Sequence, residues 1–315
     1  MHKAKVVKST GSWYTIENTE GEIHQARIVG KFRLEDIPLT NPVAVGDEVL
    51  YELEHLGETN ALIKEILPRR NYIVRQSPRK KHQLHLLASN IDLALLVVTM
   101  VQPKFKPGVI DRFLLMTEPQ DVPAVIIFNK SDLYKEEDID FYQYCEAVYE
   151  SIGYEVFLVS CLTMEGIEPV RERLKGKKTM IAGQSGVGKS TLINTLDPVL
   201  DLRTSELSDY SGKGQHTTTF AEMHPFNQGH IIDTPGFKTL SFNNLEPMDV
   251  AHNFREFFIL SEDCHYPDCT HRNEPKCAVK QSLEKGEISD MRYQNYLRIL
   301  EEIEEQNYWE RHRDL

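Results

Sequence analysis

The chain has 315 residues, with 36 Lys and Arg against 48 Asp and Glu, for a formal net charge of -12. That balance argues against a general nucleic-acid coat, no apolar run approaches the ~20 residues that span a bilayer, and the opening "MHKAKVVKSTGSW" lacks the apolar stretch of a secretory leader. A hydrophobic content of 40% is enough for buried cores, length predicts two or three domains, and the expectation is a monomeric cytoplasmic protein with no membrane contact.

Residues 1–68 read as short alternating strands, among them "KAKVVKSTGSWYTIEN", "EIHQARIVGKF" and "DEVLYELE", with turns at Thr10-Gly11, Glu20-Gly21 and Val45-Gly46-Asp47. Many short strands with glycine turns predict a small barrel or sandwich. A five-stranded oligonucleotide-binding (OB) barrel fits the length; another small β-domain fits the same pattern. Residues 69–90 read as a basic linker, carrying Arg69, Arg70, Arg75, Arg79, Lys80 and Lys81 and no acidic residue. One reading is a solvated connection; the other is a patch that contacts RNA phosphates.

From residue 91 to about 245 the pattern becomes strand–helix alternation. "IDLALLVVTM" is a continuous apolar strand of the kind buried in parallel sheets. "VIDRFLLMTE" is a helix, "PAVIIFNKSD" a strand running into a loop, "DIDFYQYCEAVYESIG" a helix and "YEVFLVSC" a strand. "GIEPVRERLKG" is a helix, "KKTMIAG" a strand, "KSTLINTL" a helix, and "FAEMHPFNQGHIIDTPG" two strands about a turn. This is a doubly wound α/β pattern. Residues 246–315 are helical and polar.

Gly183-Gln184-Ser185-Gly186-Val187-Gly188-Lys189-Ser190 matches the P-loop at every fixed position and continues into Thr191. Glycines let the backbone turn its N–H groups toward phosphate oxygens, and the helix that follows adds its N-terminal partial charge. Lys189 reaches the β- and γ-phosphates and the Ser190 hydroxyl ligates Mg2+. Earlier in the chain, Asn129-Lys130-Ser131-Asp132 ends a strand. A carboxylate there accepts at once from guanine N1–H and its amino group, a donor pair that adenine lacks. "SCL" from Ser160, with Cys161, ends the next strand in the position of a short loop that contacts guanine O6. Asp233-Thr234-Pro235-Gly236 ends a later strand, with Asp233 toward Mg2+ and the Gly236 N–H toward the γ-phosphate. In "SGKGQHTTTF", Thr218 is the favoured further Mg2+ ligand, with Thr217 and Thr219 beside it.

The order is therefore base reader, base loop, cradle, threonine loop, D-x-x-G. Rotating it restores the usual order of a G domain, so the chain reads as a circularly permuted one. Cutting loops while keeping the sheet is tolerated. Where many GTPases orient the attacking water with glutamine, this chain has Phe237. His216 is the nearest polar candidate for that work; its other reading is a surface histidine. Cys264-x4-Cys269-x-His271-x5-Cys277 offers three thiolates and an imidazole, a set that suits one structural tetrahedral Zn2+.

These motifs, "GQSGVGKS", "GQHTTT", "DTPG", "NKSD" and the C-x4-C-x-H-x5-C cluster, resemble the small ribosomal subunit biogenesis GTPases, the RsgA or YjeQ family, over nearly the whole chain. The resemblance implies an N-terminal OB domain, a permuted GTPase domain and a C-terminal zinc region. It implies GTP on Asn129, Lys130, Asp132 and the loop from Gly183 to Thr191, Zn2+ on Cys264, Cys269, His271 and Cys277, and a role for His216 in hydrolysis. It further implies binding to the immature small ribosomal subunit and its rRNA, which stimulates GTP hydrolysis to GDP, with hydrolysis driving release. The competing readings are a small-molecule kinase, for which no lid or acceptor pocket is evident, and a GTP-gated module acting on another RNA or protein.

Overall fold

The computed structural model describes residues 1–28, 41–54, 60–76, 84–200, 221–234 and 245–311, with side chains of the last helix given to residue 305. The chain opens with β1 (His2–Ser9), β2 (Tyr14–Asn18), β3 (Ile23–Ile28), β4 (Glu48–Leu53) and β5 (Asn60–Ile66). Successive side chains of a strand alternate between faces, and the inward set, including Val6, Ile16, Ala26, Tyr51 and Ile63, is buried. Pairing runs β1-β2-β3-β5-β4 and back from β4 to β1, with only β3–β5 parallel. A sheet closed on itself leaves no open edge, and the five-stranded OB-type barrel expected from the turns is what forms.

Residues 69–90 differ from the expected linker. β6 (Tyr72–Gln76) and β7 (Leu84–Ser89) pair antiparallel, and Ile73, Leu84, Leu86 and Ala88 are buried. The Arg69 guanidinium donates to both oxygens of Asp47 at 2.6 Å and to the Pro42 carbonyl at 2.7 Å. Asp47, fully buried, also accepts from the Ser89 hydroxyl at 2.6 Å and the Ala44 N–H at 2.8 Å. Gly46 permits this approach: its φ is +97°, and a Cβ there would run into the Ser89 carbonyl. Arg69, 7% exposed, is thus a cation inside the barrel–hairpin joint and not the phosphate contact its place in a charge run predicted. Arg70 pairs with Asp92 at 2.5 Å while staying 60% exposed. Arg75 is half-buried opposite His85. Arg79, Lys80 and Lys81 lie outside the described residues.

The next elements are β8 (Leu93–Val98), α1 (Gly108–Thr117), β9 (Ala124–Asn129), α2 (Glu136–Ser151), β10 (Glu155–Val159), α3 (Ile167–Leu174), β11 (Lys178–Ala182), α4 (Lys189–Leu196), β12 (Glu222–Phe226) and β13 (Gly229–Asp233). The strands order β10-β9-β8-β11-β13-β12, all parallel except β12. Leu93, Leu95 and Val97 face one layer with Val170, Leu174 and Leu192. Ala94, Leu96 and Val98 face the other with Phe113, Tyr142 and Tyr149. Both faces are covered, which is why these strands read as unbroken apolar runs. β1 of the barrel continues the sheet beyond β12, in register at Lys8 and Glu222, whose side chains pair at 2.8 Å.

Among the described residues, the chain closes with α5 (Pro247–His252), α6 (Arg255–Ser261), α7 (Ala278–Glu284) and α8 (Asp290–Arg311). Arg292, 2% exposed, donates to Asp111 of α1 at 2.5 Å and to both oxygens of Glu256 at 2.8 and 2.7 Å. Asp111 also accepts from Asn295 at 2.6 Å and Tyr149 at 2.9 Å. Burial opposes the charge on Arg292, but Asp111 and Glu256 outweigh it and hold its pKa above the ordinary arginine range. Phe254 lies 4.4 Å beneath the guanidinium. Among the described residues no helix is long and apolar enough to cross a membrane.

Removing one partner of a buried pair leaves an uncompensated charge, at a cost of ~3–5 kcal/mol. Asp111→Ala is expected to lose stability on that scale in urea unfolding, and adding Arg292→Met is expected to recover part of it. Additive losses would refute the coupling.

Candidate functional site

The parallel strands bring their C-terminal ends to one edge, where ligands of such sheets bind. After β11 the chain turns through Gly183, Gly186 and Gly188 at φ of +150°, +86° and +94° and enters α4 at Lys189. The first N–H groups of a helix have no intrahelical partner, so this loop presents donors suited to an anion. The Lys189 ammonium donates to the carbonyls of Gly183 at 2.8 Å and Gln184 at 3.1 Å. Burial lowers its pKa and the nearby Asp233 carboxylate opposes that shift. Asp233 ends β13 almost buried, and Thr234 ties that end to the Ile181 carbonyl at 2.8 Å. Gln184 and Ser190 are half-buried; Ser185 and Thr191 are exposed.

The loop after β9 docks onto this cradle. Asn129 donates from Nδ2 to the Val187 carbonyl at 2.9 Å. A Cβ on Gly188 would stand 2.5 Å from that nitrogen, so the third glycine makes room for the reader. Lys130, held at a left-handed φ of +67°, donates to the carbonyls of Gly186 at 2.7 Å and Gln102 at 2.8 Å. Tyr134, which the sequence offered no reason to single out, accepts from the Met100 N–H at 3.0 Å and donates to the Asn129 carbonyl at 2.8 Å.

The loop after β10 completes the wall. Ser160 donates to Asp132 Oδ1 at 2.5 Å and accepts from the N–H groups of Leu162 and Thr163 at 3.2 and 3.1 Å. Its hydroxyl fixes the carboxylate, whose other oxygen makes no hydrogen bond among the described residues. Ser131 reaches Glu165 at 3.3 Å. The Cys161 thiol, 3.6 Å from Asn129 Oδ1, has its pKa pushed up by burial and is a neutral contact rather than a nucleophile. The result is a carboxylate fixed by Ser160 in a loop wall that Asn129 and Lys130 dock onto the glycine-rich turn. His216, Thr217, Thr218, Thr219, Gly236 and Phe237 lie outside the described residues.

The cysteine cluster lies in the connection between α6 and α7. The ligand atoms of Cys264, Cys269, His271 and Cys277 all lie within 4.8 Å of one another. Cys264 and Cys277 sulfurs are 4.0 Å apart, and His271 Nδ1 is 3.7 and 3.4 Å from them. Tetrahedral bonds of ~2.3 Å to sulfur require edges of about 3.8 Å, so the group fits a metal ion such as zinc. Glu274 fixes the intervening turn, accepting from the N–H groups of Thr270, Arg272 and Asn273 at 2.8, 2.9 and 3.0 Å. Tyr293 and Tyr296 donate to the carbonyls of His271 at 2.8 Å and Thr270 at 2.7 Å. Ligand spacing flagged the cluster; nothing in it flagged Glu274.

Comparison with known proteins gives concordant matches. The RsgA GTPase family model matches residues 66–243, and that of the RsgA N-terminal domain residues 3–61. The small ribosomal subunit biogenesis GTPase RsgA of Bacteroides fragilis is 47% identical over 307 residues, 97% of this chain and 98% of that protein. The protein of the same name from Christiangramia forsetii is 46% identical over 305 residues, 96% of each. The crystal structure of YjeQ from Thermotoga maritima superposes with a TM-score of 0.75 at 34% identity, covering 96% of this chain and 98% of that one. YloQ, described as a circularly permuted GTPase, gives 0.71 at 32% identity, with 97% and 96% covered.

Titration of metal-free protein with Co2+ is expected to give thiolate charge-transfer and tetrahedral d–d absorption that saturates near about one equivalent. Cys269→Ser should weaken the bands. Absorption typical of six-coordinate Co2+ would refute the tetrahedral site.

Proposed function

The chain belongs to the RsgA GTPase family and is a GTP hydrolase, and on that premise we propose that it binds the immature small ribosomal subunit and assists its late maturation. The subunit stimulates hydrolysis, and hydrolysis promotes release. The protein acts as a monomer in the cytoplasm. What supports the reading most is the contact of Asn129 and Lys130 with the carbonyls of Val187 and Gly186. Reader and cradle make one site although they occur in reversed chain order.

In this reading Asn129, Lys130, Ser131 and Asp132 take guanine, with the loop at Ser160 and Cys161 along its far edge. Gly183 to Thr191 cradles the phosphates, and the Gly236 N–H meets the γ-phosphate. Ser190, Asp233 and Thr218 would offer the hard oxygen ligands that Mg2+ takes, and the ion would supply positive charge to offset that of the phosphates. Lys189 leaves the carbonyls of Gly183 and Gln184 for phosphate oxygens. His216 orients the attacking water, the task that Phe237 cannot perform. Zn2+ on Cys264, Cys269, His271 and Cys277 is structural and would tie together the turns between α6 and α7. Residues 1–68 form the ribosome-binding barrel, 69–90 join it to the GTPase domain at 91–245, and 246–315 are the zinc domain. RNA contacts come from the exposed part of Arg70, from Arg75 and from Arg79, Lys80 and Lys81.

Asp132→Asn replaces one of the two carboxylate acceptors by an NH2 donor that faces guanine's amino group but matches the 2-oxo group of xanthine, and is expected to shift preference from GTP toward xanthosine triphosphate, the loss being ~1–3 kcal/mol for an unpaired polar contact. Unchanged GTP affinity in fluorescent-nucleotide titration would count against the base reader. Purified small subunits are expected to raise the hydrolysis rate, with partner-ordered activation worth roughly 10³–10⁵ in other GTPases. His216→Ala should keep nucleotide and subunit binding and lose most of that gain. No stimulation of the unaltered protein would sink the ribosomal reading; stimulation intact in the variant would remove only the histidine.

A further inference from the structure

A cavity of about 700 Å³ opens between the start of α1 and the middle of α8, outside the nucleotide edge but touching it through Gln184 of the cradle. Its volume lies in the range that encloses a small ligand, roughly 300–1,000 Å³. Its cations are the distinctive part. Arg112 pairs with Glu302 at 2.5 Å, but Lys106 and Arg298, both exposed on its lining, take part in no ion pair among the described residues. Two unpaired cations converging from different elements, in a chain of net charge -12, are a local exception to its electrostatics.

The rest of the lining is amide and apolar. Phe105 is held by edge contacts with Phe128 at 5.4 Å and Phe141 at 6.1 Å, so its ring is fixed in place. Met291 and Ile299 continue the apolar wall from α8. Asn295, 5% exposed, also lines the cavity, with its Nδ2 committed to Asp111 at 2.6 Å. Gln184 and Gln294 add side-chain amides. Cations for phosphate, an aromatic surface for stacking and amides for base edges are the set that takes an unpaired nucleotide.

We propose that this cleft binds one nucleotide of single-stranded RNA, its phosphate against Lys106 and Arg298 and its base between Phe105 and the amides of Gln184, Gln294 and Asn295. The proposal rests on the ribosomal reading above and names a contact it leaves open. Gln184 gives the contact a consequence. This residue lines the cleft while its carbonyl accepts from Lys189 at 3.1 Å. An RNA base in the cleft therefore bears on the loop that holds the phosphates, and the particle has a route to the reaction other than the barrel.

The test is photocrosslinking of the full-length protein to a mixed-sequence RNA decamer carrying 4-thiouridine, with the attached peptides identified by mass spectrometry. Adducts are expected on the segments around Phe105–Arg112 or Met291–Arg298. Lys106→Glu with Arg298→Glu should reduce that adduct by about tenfold, with GTP affinity and unstimulated hydrolysis unchanged. Gln294→Trp, which fills the cleft without altering a charge, should do the same. Adducts only on other surfaces, or loss with charge reversal but not with filling, overturn the proposal. Displacement by hexaglutamate as readily as by unlabelled RNA reduces the cleft to a polyanion contact and also overturns it. Uridine monophosphate that saturates the cleft where the decamer leaves no adduct assigns it to a free nucleotide instead. Stimulation by small subunits separates the two readings. If the unaltered protein and Arg298→Glu are stimulated equally, the ribosomal reading stands and the route through Gln184 falls.

Discussion

A parallel sheet sends the C-terminal ends of its strands to one edge, and the order in which the chain visits the strands does not enter. The site here depends on that constraint. β9 brings the base reader, β10 the short loop, β11 the cradle and β13 the D-x-x-G aspartate, and all end on the same side. Two of the bonds that unite them run from side chain to backbone, Asn129 to Val187 and Lys130 to Gly186, and one from the Ser160 hydroxyl to the Asp132 carboxylate. None needs its partner to be near in sequence. A cut elsewhere in the loops therefore leaves the site intact, and the freedom gained goes to what is attached at the new ends.

What is attached is fixed by charge buried where water cannot compensate it. Arg292 enters the face of α1 with Asp111 on one side and Glu256 on the other, and Arg255 pairs with Glu118 nearby at 2.9 Å. Apolar packing alone would let two helices slide along each other. A guanidinium that must meet two carboxylates and an aromatic face has one position, because each unmatched charge costs more than the slide gains. At the other end Asp47 and Arg69 do the same between barrel and hairpin. Both joints use bidentate arginine, whose planar fork fixes direction as well as distance.

How legible all this was follows the range of each interaction. The cradle, the reader and the cysteine cluster are local: their residues are few positions apart, and their glycines answer to backbone geometry that no other residue supplies. The barrel strands showed through period-2 alternation. The hairpin did not, because Ile73, Leu84 and Leu86 are interleaved with Arg75, His85 and a run of arginines and lysines whose charge dominated the reading. Arg69 illustrates the same limit. In the sequence it is one cation among several; only the fold brings Asp47 to it. Arg292 and Asp111 are 181 positions apart, and nothing in either neighbourhood announces the other. Glu274 and Tyr134 act through backbone groups of neighbouring turns, and such roles leave no compositional mark.

The placement of the two joints gives the permutation a physical meaning. The hairpin β12–β13 is the only part of the described GTPase sheet whose entry and exit both lie next to segments expected to meet the γ-phosphate side, 201–220 before it and 235–244 after it. β12 is the strand that pairs with β1 of the barrel. The segment after β13 runs on to α5, whose neighbour α8 carries Arg292 and packs on α1. One end of the hairpin thus pairs with the barrel through a strand edge, and the other leads along the chain to the C-terminal helices. In the unpermuted order the second of these would lead back into the sheet and end there. Under the proposed ribosomal reading, a particle that gripped the barrel and the C-terminal helices together would act on both ends of that hairpin at once, with no need to touch the nucleotide.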